Sequence, residues 1–131
     1  MIYLIDASAF YPLLQVPAKA REIVVNGAIL DLTLYELGNV MWREYRSKRI
    51  KNYAKVMEYL TKLASLIRMI RINASEMLEI ENLAIRIELT FYDAAYVYYA
   101  KKEGIKLLTN DEKILTKVKD AAIPVKEIAL K

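Results

Sequence analysis

Met1-Ile2-Tyr3-Leu4-Ile5-Asp6-Ala7-Ser8 opens the chain with an unbroken apolar run that ends on an acid. The run is short and rich in β-formers, so it predicts a buried strand. Buried strands of this kind belong to parallel sheets, whose crossover helices cover both faces. The segments that follow agree with that placement. Helical Ala7 to Leu14 and Ala18 to Val25 lead to a second strand, Ala28 to Leu32. Thr33 to Ser47 predicts a helix whose Leu34, Leu37, Val40, Met41 and Tyr45 share one buried face. Lys51 to Leu66 predicts another. Ile67 to Ile72 alternates apolar and basic residues, as in a strand with one covered and one wet face.

Ser75 to Glu88 predicts a third long helix, with Asn73 and Glu76 in capping-box spacing at its start. Thr90 to Glu103 predicts a fourth, apolar almost all round and therefore buried. Gly104 is suited to end it. Ile105 to Leu108 predicts a strand, Asp111 to Lys117 a short helix, and Val125 to Ile128 a last strand after Pro124. Strands alternating with helices give an α/β fold with right-handed crossovers, expected as a single three-layer domain over residues 1–131.

Composition narrows the chemistry. The 131 residues carry 20 Lys+Arg, 16 Asp+Glu, no His and no Cys. An imidazole or thiolate zinc site, a Ser-His-Asp triad and a Cys nucleophile are excluded. Carboxylates, Lys, Tyr or a hard metal must do any catalysis. The longest uncharged stretch, Ala7 to Ala18, holds twelve residues and two prolines. That is short of the ~20 apolar residues a spanning helix needs. With no Cys and no basic segment ahead of the first apolar run, a cytoplasmic protein is expected.

Four acids stand where a parallel sheet places its ligands, outside the carboxyl ends of the strands. Asp6 follows the first strand, Glu36 and Asp93 lie in first helical turns, and Asp111 follows the Ile105–Leu108 strand. Each has an ordinary role open to it. Asp6 or Ser8 can cap the first helix, and Thr33/Glu36 and Thr90/Asp93 both have capping-box spacing. The set is harder to explain in that way. Asp93 sits in an otherwise apolar helix, with no obvious cation partner in the sequence around it. Acids that converge without cations repel one another and raise their own pKa values. A divalent Mg2+ or Mn2+ ion relieves both costs and takes oxygen ligands only. Its natural substrate is a phosphate ester.

Leu4-Ile5-Asp6-Ala7-Ser8, Glu36 opening a helix, Leu89-Thr90-Phe91-Tyr92-Asp93-Ala94-Ala95-Tyr96 and Leu107-Leu108-Thr109-Asn110-Asp111 together resemble a PIN-domain nuclease over essentially the whole chain. In size and lack of an added domain the chain looks like the VapC-type toxins of toxin–antitoxin pairs. The resemblance implies a mostly parallel sheet in the order 3-2-1-4-5 and a metal-dependent endoribonuclease using Mg2+ or Mn2+. It implies Asp6, Glu36, Asp93 and Asp111 as the acidic quartet, Thr109 as the supporting hydroxyl and Ser8 as a small polar neighbour of the leading acid. It also implies a homodimer and a cognate antitoxin. The alternatives are a catalytically degenerate PIN-like module that binds RNA or protein without cutting it, or a PIN nuclease in RNA processing rather than a toxin.

Charge is unevenly distributed. Arg43 to Arg71 contains nine basic and two acidic side chains, while the rest of the chain carries 11 basic and 14 acidic ones. A basic block beside an acidic site suits a polyanion such as RNA, and Arg43 and Arg46 are its candidate contacts. A solvated helical face is the plainer account of the same charges. Tyr96, Tyr98 and Tyr99 are expected to pack, with each hydroxyl reaching a polar partner or the surface. Met41 and Trp42 are expected in the core or a dimer interface.

Overall fold

The protein is described by a computed structural model covering residues 2–129. Five parallel strands form one sheet in the order β3-β2-β1-β4-β5: β1 Tyr3–Ile5, β2 Ala28–Leu30, β3 Arg68–Ile70, β4 Lys106–Leu108 and β5 Ala122–Ile123. The expected strand order and α/β class are both found. Met1, placed in the first strand from sequence, lies outside the described residues.

Side-chain alternation on the three central strands builds the layers. Leu4, Ala28, Leu30 and Leu107 enter one core, while Ile5, Ile29 and Leu108 enter the other. The first core is closed by α5 (Met77–Ile87), α6 (Phe91–Glu103) and α7 (Glu112–Lys117). The second is closed by α1 (Ala7–Leu14), α2 (Pro17–Val25), α3 (Asp31–Arg46), α4 (Tyr53–Leu66) and α8 (Val125–Ala129). Strands buried on both faces read as continuous apolar runs, and this is why β1 and β2 are recognisable in the sequence.

Several local expectations are corrected. Val125–Ala129 is a helix, and the last strand is the two-residue pair just before Pro124. Val125 and Ile128 are spaced one helical turn apart, and both are buried. The second strand stops at Leu30, and α3 begins at Asp31 rather than Thr33. The buried stripe of α3 is Thr33, Leu37 and Met41, while Leu34 and Tyr45 are exposed. Asn73 does accept from the Ser75 N–H at 3.0 Å, but it opens a 3-10 turn, Ala74–Glu76, ahead of α5. Glu76 turns away from Asn73, toward α6.

Gly104 ends α6 with φ +68°, a left-handed conformation that favours glycine. Gly27 leads into β2 where a Cβ would stand 2.8 Å from the Ile23 carbonyl oxygen and 2.9 Å from Ile5 Cδ1. Among the described residues no helix is long and apolar enough to cross a membrane.

Candidate active site

β1 is the switch point of the sheet, with β2 on one side and β4 on the other. Crevices at such points open outside the carboxyl ends of the strands. Asp6 leaves β1 there, α3 leaves β2 there, and Thr109 to Asp111 leave β4 there. α6 runs back toward the start of β4, so its N-terminus with Asp93 lies at the same edge.

Asp6 is the buried member, only 5% exposed. It occupies the N-cap position of α1, yet its side chain caps nothing. Instead Oδ1 accepts from the Ser8 hydroxyl at 2.6 Å and Oδ2 from the Thr109 hydroxyl at 2.5 Å. Each hydroxyl has a single proton, and both protons are directed to the carboxylate. Their oxygens face backbone donors: Asn110 N–H reaches Ser8 Oγ at 2.9 Å, and Asp111 N–H reaches Thr109 Oγ1 at 3.0 Å. The β4–α7 loop is thereby fastened to the leading acid. Burial pushes the Asp6 carboxyl up to about 6 against these two hydrogen bonds, and the charges of Glu36 and Asp111 add to the rise.

Glu36 is half-buried, and its Oε1 accepts from the Tyr96 hydroxyl at 2.5 Å. Burial raises its pKa, Tyr96 opposes the rise, and Asp93 and Asp111 add to it. The capping box expected of Thr33 and Glu36 is absent. Leu30 holds the N-cap position of α3, and Thr33 lies fully buried with its Oγ1 2.7 Å from the Tyr96 hydroxyl. Thr90, by contrast, caps α6 as expected, accepting from the Asp93 N–H at 3.1 Å.

Asp93 is raised by burial and by Asp111, with Lys113 pulling the other way. Lys113, on α7, is therefore the cation neighbour that the sequence around Asp93 does not reveal. Asp111 caps α7, its Oδ1 accepting from the N–H groups of Lys113 and Ile114 at 2.9 and 3.2 Å. The other oxygen has no hydrogen bond among the described residues.

All four acids thus meet at one edge, near enough to act on one another's charge. They are not drawn into a tight ligand set: among the described residues no three acidic side chains stand close enough to share an ion. Each of three has a partner of its own, with Asp6 on its hydroxyls, Glu36 on Tyr96 and Asp111 on its own helix. In donor chemistry the group fits a hard divalent cation, since it offers carboxylate oxygen alone and sets four acids against the neighbouring cation Lys113.

Arg43 and Arg46 are not part of this cluster. They are exposed in the last turn of α3, roughly 10 and 15 Å along its axis from Glu36 at 1.5 Å per residue. The Arg46 guanidinium lies 5.1 Å from the Trp42 ring centroid. Trp42 itself is 57% exposed and Met41 is buried. Tyr96, whose apolar surroundings in the sequence suggest a packed core residue, is a neighbour of the site. Its signal is its spacing, three residues after Asp93 and one turn along the same helix.

Comparisons with known proteins agree with this architecture. The PIN domain matches residues 3–120. "Exonuclease VapC9" of Pyrobaculum aerophilum is 38% identical over 119 residues, covering 91% of this chain and 87% of the relative. "Ribonuclease VapC3" of the same organism is 32% identical over 126 residues, covering 89% of this chain and 95% of the relative. The crystal structure of PAE2754, also from Pyrobaculum aerophilum, superposes with a TM-score of 0.87 at 35% identity, covering 99% of this chain and 88% of that one. With the strand order, the acid-lined edge and a match over most of its length in agreement, the chain belongs to the PIN-domain family.

Proposed function

We propose that this protein is a Mg2+- or Mn2+-dependent endoribonuclease and the toxin of a toxin–antitoxin pair, working as a single-domain enzyme in the cytoplasm. The observation that carries the nuclease assignment is Asp6. It is a buried carboxylate raised toward neutrality, with the charges of Glu36 and Asp111 acting on it and, among the described residues, hydroxyl groups alone as its side-chain hydrogen-bonding partners. A buried charge is paired or coordinates a metal, whereas the charged groups that act on this carboxylate are further acids.

Asp6 and Asp93 are the principal ligands in this proposal, with Glu36 and Asp111 completing the set. Ser8 and Thr109 hold Asp6 in one orientation and tie Asp111 to it through the loop backbone. Closing on an ion requires the carboxylates to turn inward about their side-chain torsions. When bound, a divalent cation supplies a water of lowered pKa and neutralises charge on the departing oxygen. Arg43 and Arg46 bind phosphates of the RNA at a distance from the cut.

An apolar groove between α3 and α4, lined by Met41, Trp42, Tyr45, Tyr53 and Met57, supports a protein partner. We assign it to the antitoxin, with a homodimer formed elsewhere on the surface. The VapC names of the two curated relatives support the toxin role.

A circular and a linear form of the same RNA, incubated with Mn2+, Mg2+ or EDTA, test the activity. Cleavage of the circle with metal, and none in EDTA or with Asp6→Asn and Asp93→Asn, is expected. Cleavage of linear RNA alone would indicate action from chain ends, as the relative named an exonuclease suggests. Binding without any cleavage would favour the non-cutting module.

A further inference from the structure

Tyr96 is buried to 1% exposure with a polar hydroxyl at its tip, and that hydroxyl joins two helices of the site. On one side lies Glu36 Oε1 at 2.5 Å, on the other Thr33 Oγ1 at 2.7 Å. The tyrosine has one proton to give, and a carboxylate is the stronger acceptor. The proton therefore goes to Glu36, and Thr33 donates its own to the tyrosine oxygen. Thr33 and Glu36 are one turn apart on α3, as Asp93 and Tyr96 are on α6. A single hydroxyl thus links the helix of one acid to the carboxylate of another.

We propose that Tyr96 is a positioning residue for the acidic site: its hydroxyl, oriented by Thr33, holds one oxygen of Glu36 and leaves the other for a divalent cation. The inference rests on the metal-dependent reading above. Consistent with it, Glu36 Oε2 has no hydrogen bond among the described residues. The partner on α6 sets the direction of the Glu36 side chain, which α3 alone leaves free to rotate into solvent. Groups that orient ligands from behind in this way typically govern metal affinity by ~10–100-fold.

A purely structural role would consist only in satisfying a buried hydroxyl pair, and the two roles separate experimentally. Tyr96→Phe removes the hydroxyl at constant shape. Thr33→Val combined with Tyr96→Phe removes both partners and relieves the polar group that the single variant leaves unpaired. Mn2+ binding to the intact chain is measured by calorimetry, beside thermal unfolding in EDTA. Tyr96→Phe is expected to weaken Mn2+ by about tenfold. The double variant regains thermal stability and does not regain Mn2+ affinity. In a Glu36→Gln background Tyr96→Phe has no further effect on binding. With RNA, kcat falls and KM stays.

Mn2+ affinity unchanged in Tyr96→Phe overturns the proposal, as does a loss of equal size in the Glu36→Gln background. Recovery of Mn2+ affinity in the double variant also overturns it, since a packing role is then sufficient. Wild-type protein that takes up no Mn2+ removes the metal reading and this inference together. Wild-type uptake with Glu36→Gln binding equally well removes this inference alone.

Discussion

Glu76 and Asp6 are both carboxylates gripped by hydroxyl groups. Glu76 accepts from Tyr98 at 2.5 Å and Tyr99 at 3.1 Å, and Lys102 adds an ammonium at 2.7 Å. The hydrogen bonds from Lys102 and the tyrosines hold its carboxyl below the usual range. Asp6 accepts two hydroxyls as well, yet burial drives its carboxyl up to about 6, and its charged neighbours are acids. Glu76 has a cation hydrogen-bonded to it, whereas the charged groups that act on Asp6 are acids. That difference supports the proposed assignment of the Asp6 edge to a cation from solution.

The contrast is broken most severely by neutralising Asp6. Asp6→Asn is expected to lower Mn2+-dependent RNA cleavage by roughly a hundredfold or more, beyond the usual cost of losing an outer supporting group. Initial rates at saturating metal measure it. Next in size is the stabilisation given by Mn2+ itself. At a free concentration one hundred times its dissociation constant, wild-type protein is expected to gain about 2.7 kcal/mol in denaturant unfolding, and Asp6→Asn to gain almost none.

pH provides the third test, in EDTA. Asp6 is pushed up to about 6 in the folded chain against an ordinary value of 3.8, so between these values the folded state holds the extra proton. Stability then rises as pH falls and is lost again as pH climbs through 6. The share due to Asp6 from pH 7 to 4.5 is expected to be about 2 kcal/mol, read as the difference in pH dependence between the denaturant midpoints of wild type and Asp6→Asn, since Glu36, Asp93 and Glu76 titrate in both. Glu76 has the opposite sign, because a depressed carboxyl stabilises above its unfolded pKa and loses that contribution in acid. The smallest effect is expected at the exposed end of the comparison. Lys102→Met should lower thermal stability only modestly and leave cleavage unchanged, since Lys102 is half exposed and Tyr98 and Tyr99 still hold the Glu76 carboxylate.

Much of this plan was legible in the residues. The apolar runs of β1 and β2 announce strands buried on both faces, and each of the four acids sits at a strand end or helix start that a parallel sheet turns the same way. The gaps have physical causes. Ala122–Ile123 is too short to carry an alternation, so the strand signal passed to the more apolar Val125–Ile128, which is helical. Thr33 has the spacing of a capping residue. Its true partner, Tyr96, lies 63 positions away, and no local pattern encodes a hydrogen bond between helices. Lys113 escaped notice for the same reason, since its effect on Asp93 crosses from α7 to α6.

β1 pairs with β4, and the hydroxyl that holds Asp6 comes from Thr109, 103 positions along the chain. Synthesis proceeds from the N-terminus at ~5–20 residues per second. A growing chain therefore carries Asp6 for some 5–20 s before Thr109, Asp111 or the neighbouring strand exists. During that interval the acids cannot gather, and a polypeptide tethered to a ribosome is surrounded by RNA. Topology alone delays the assembly of a cutting edge until most of the molecule has been made.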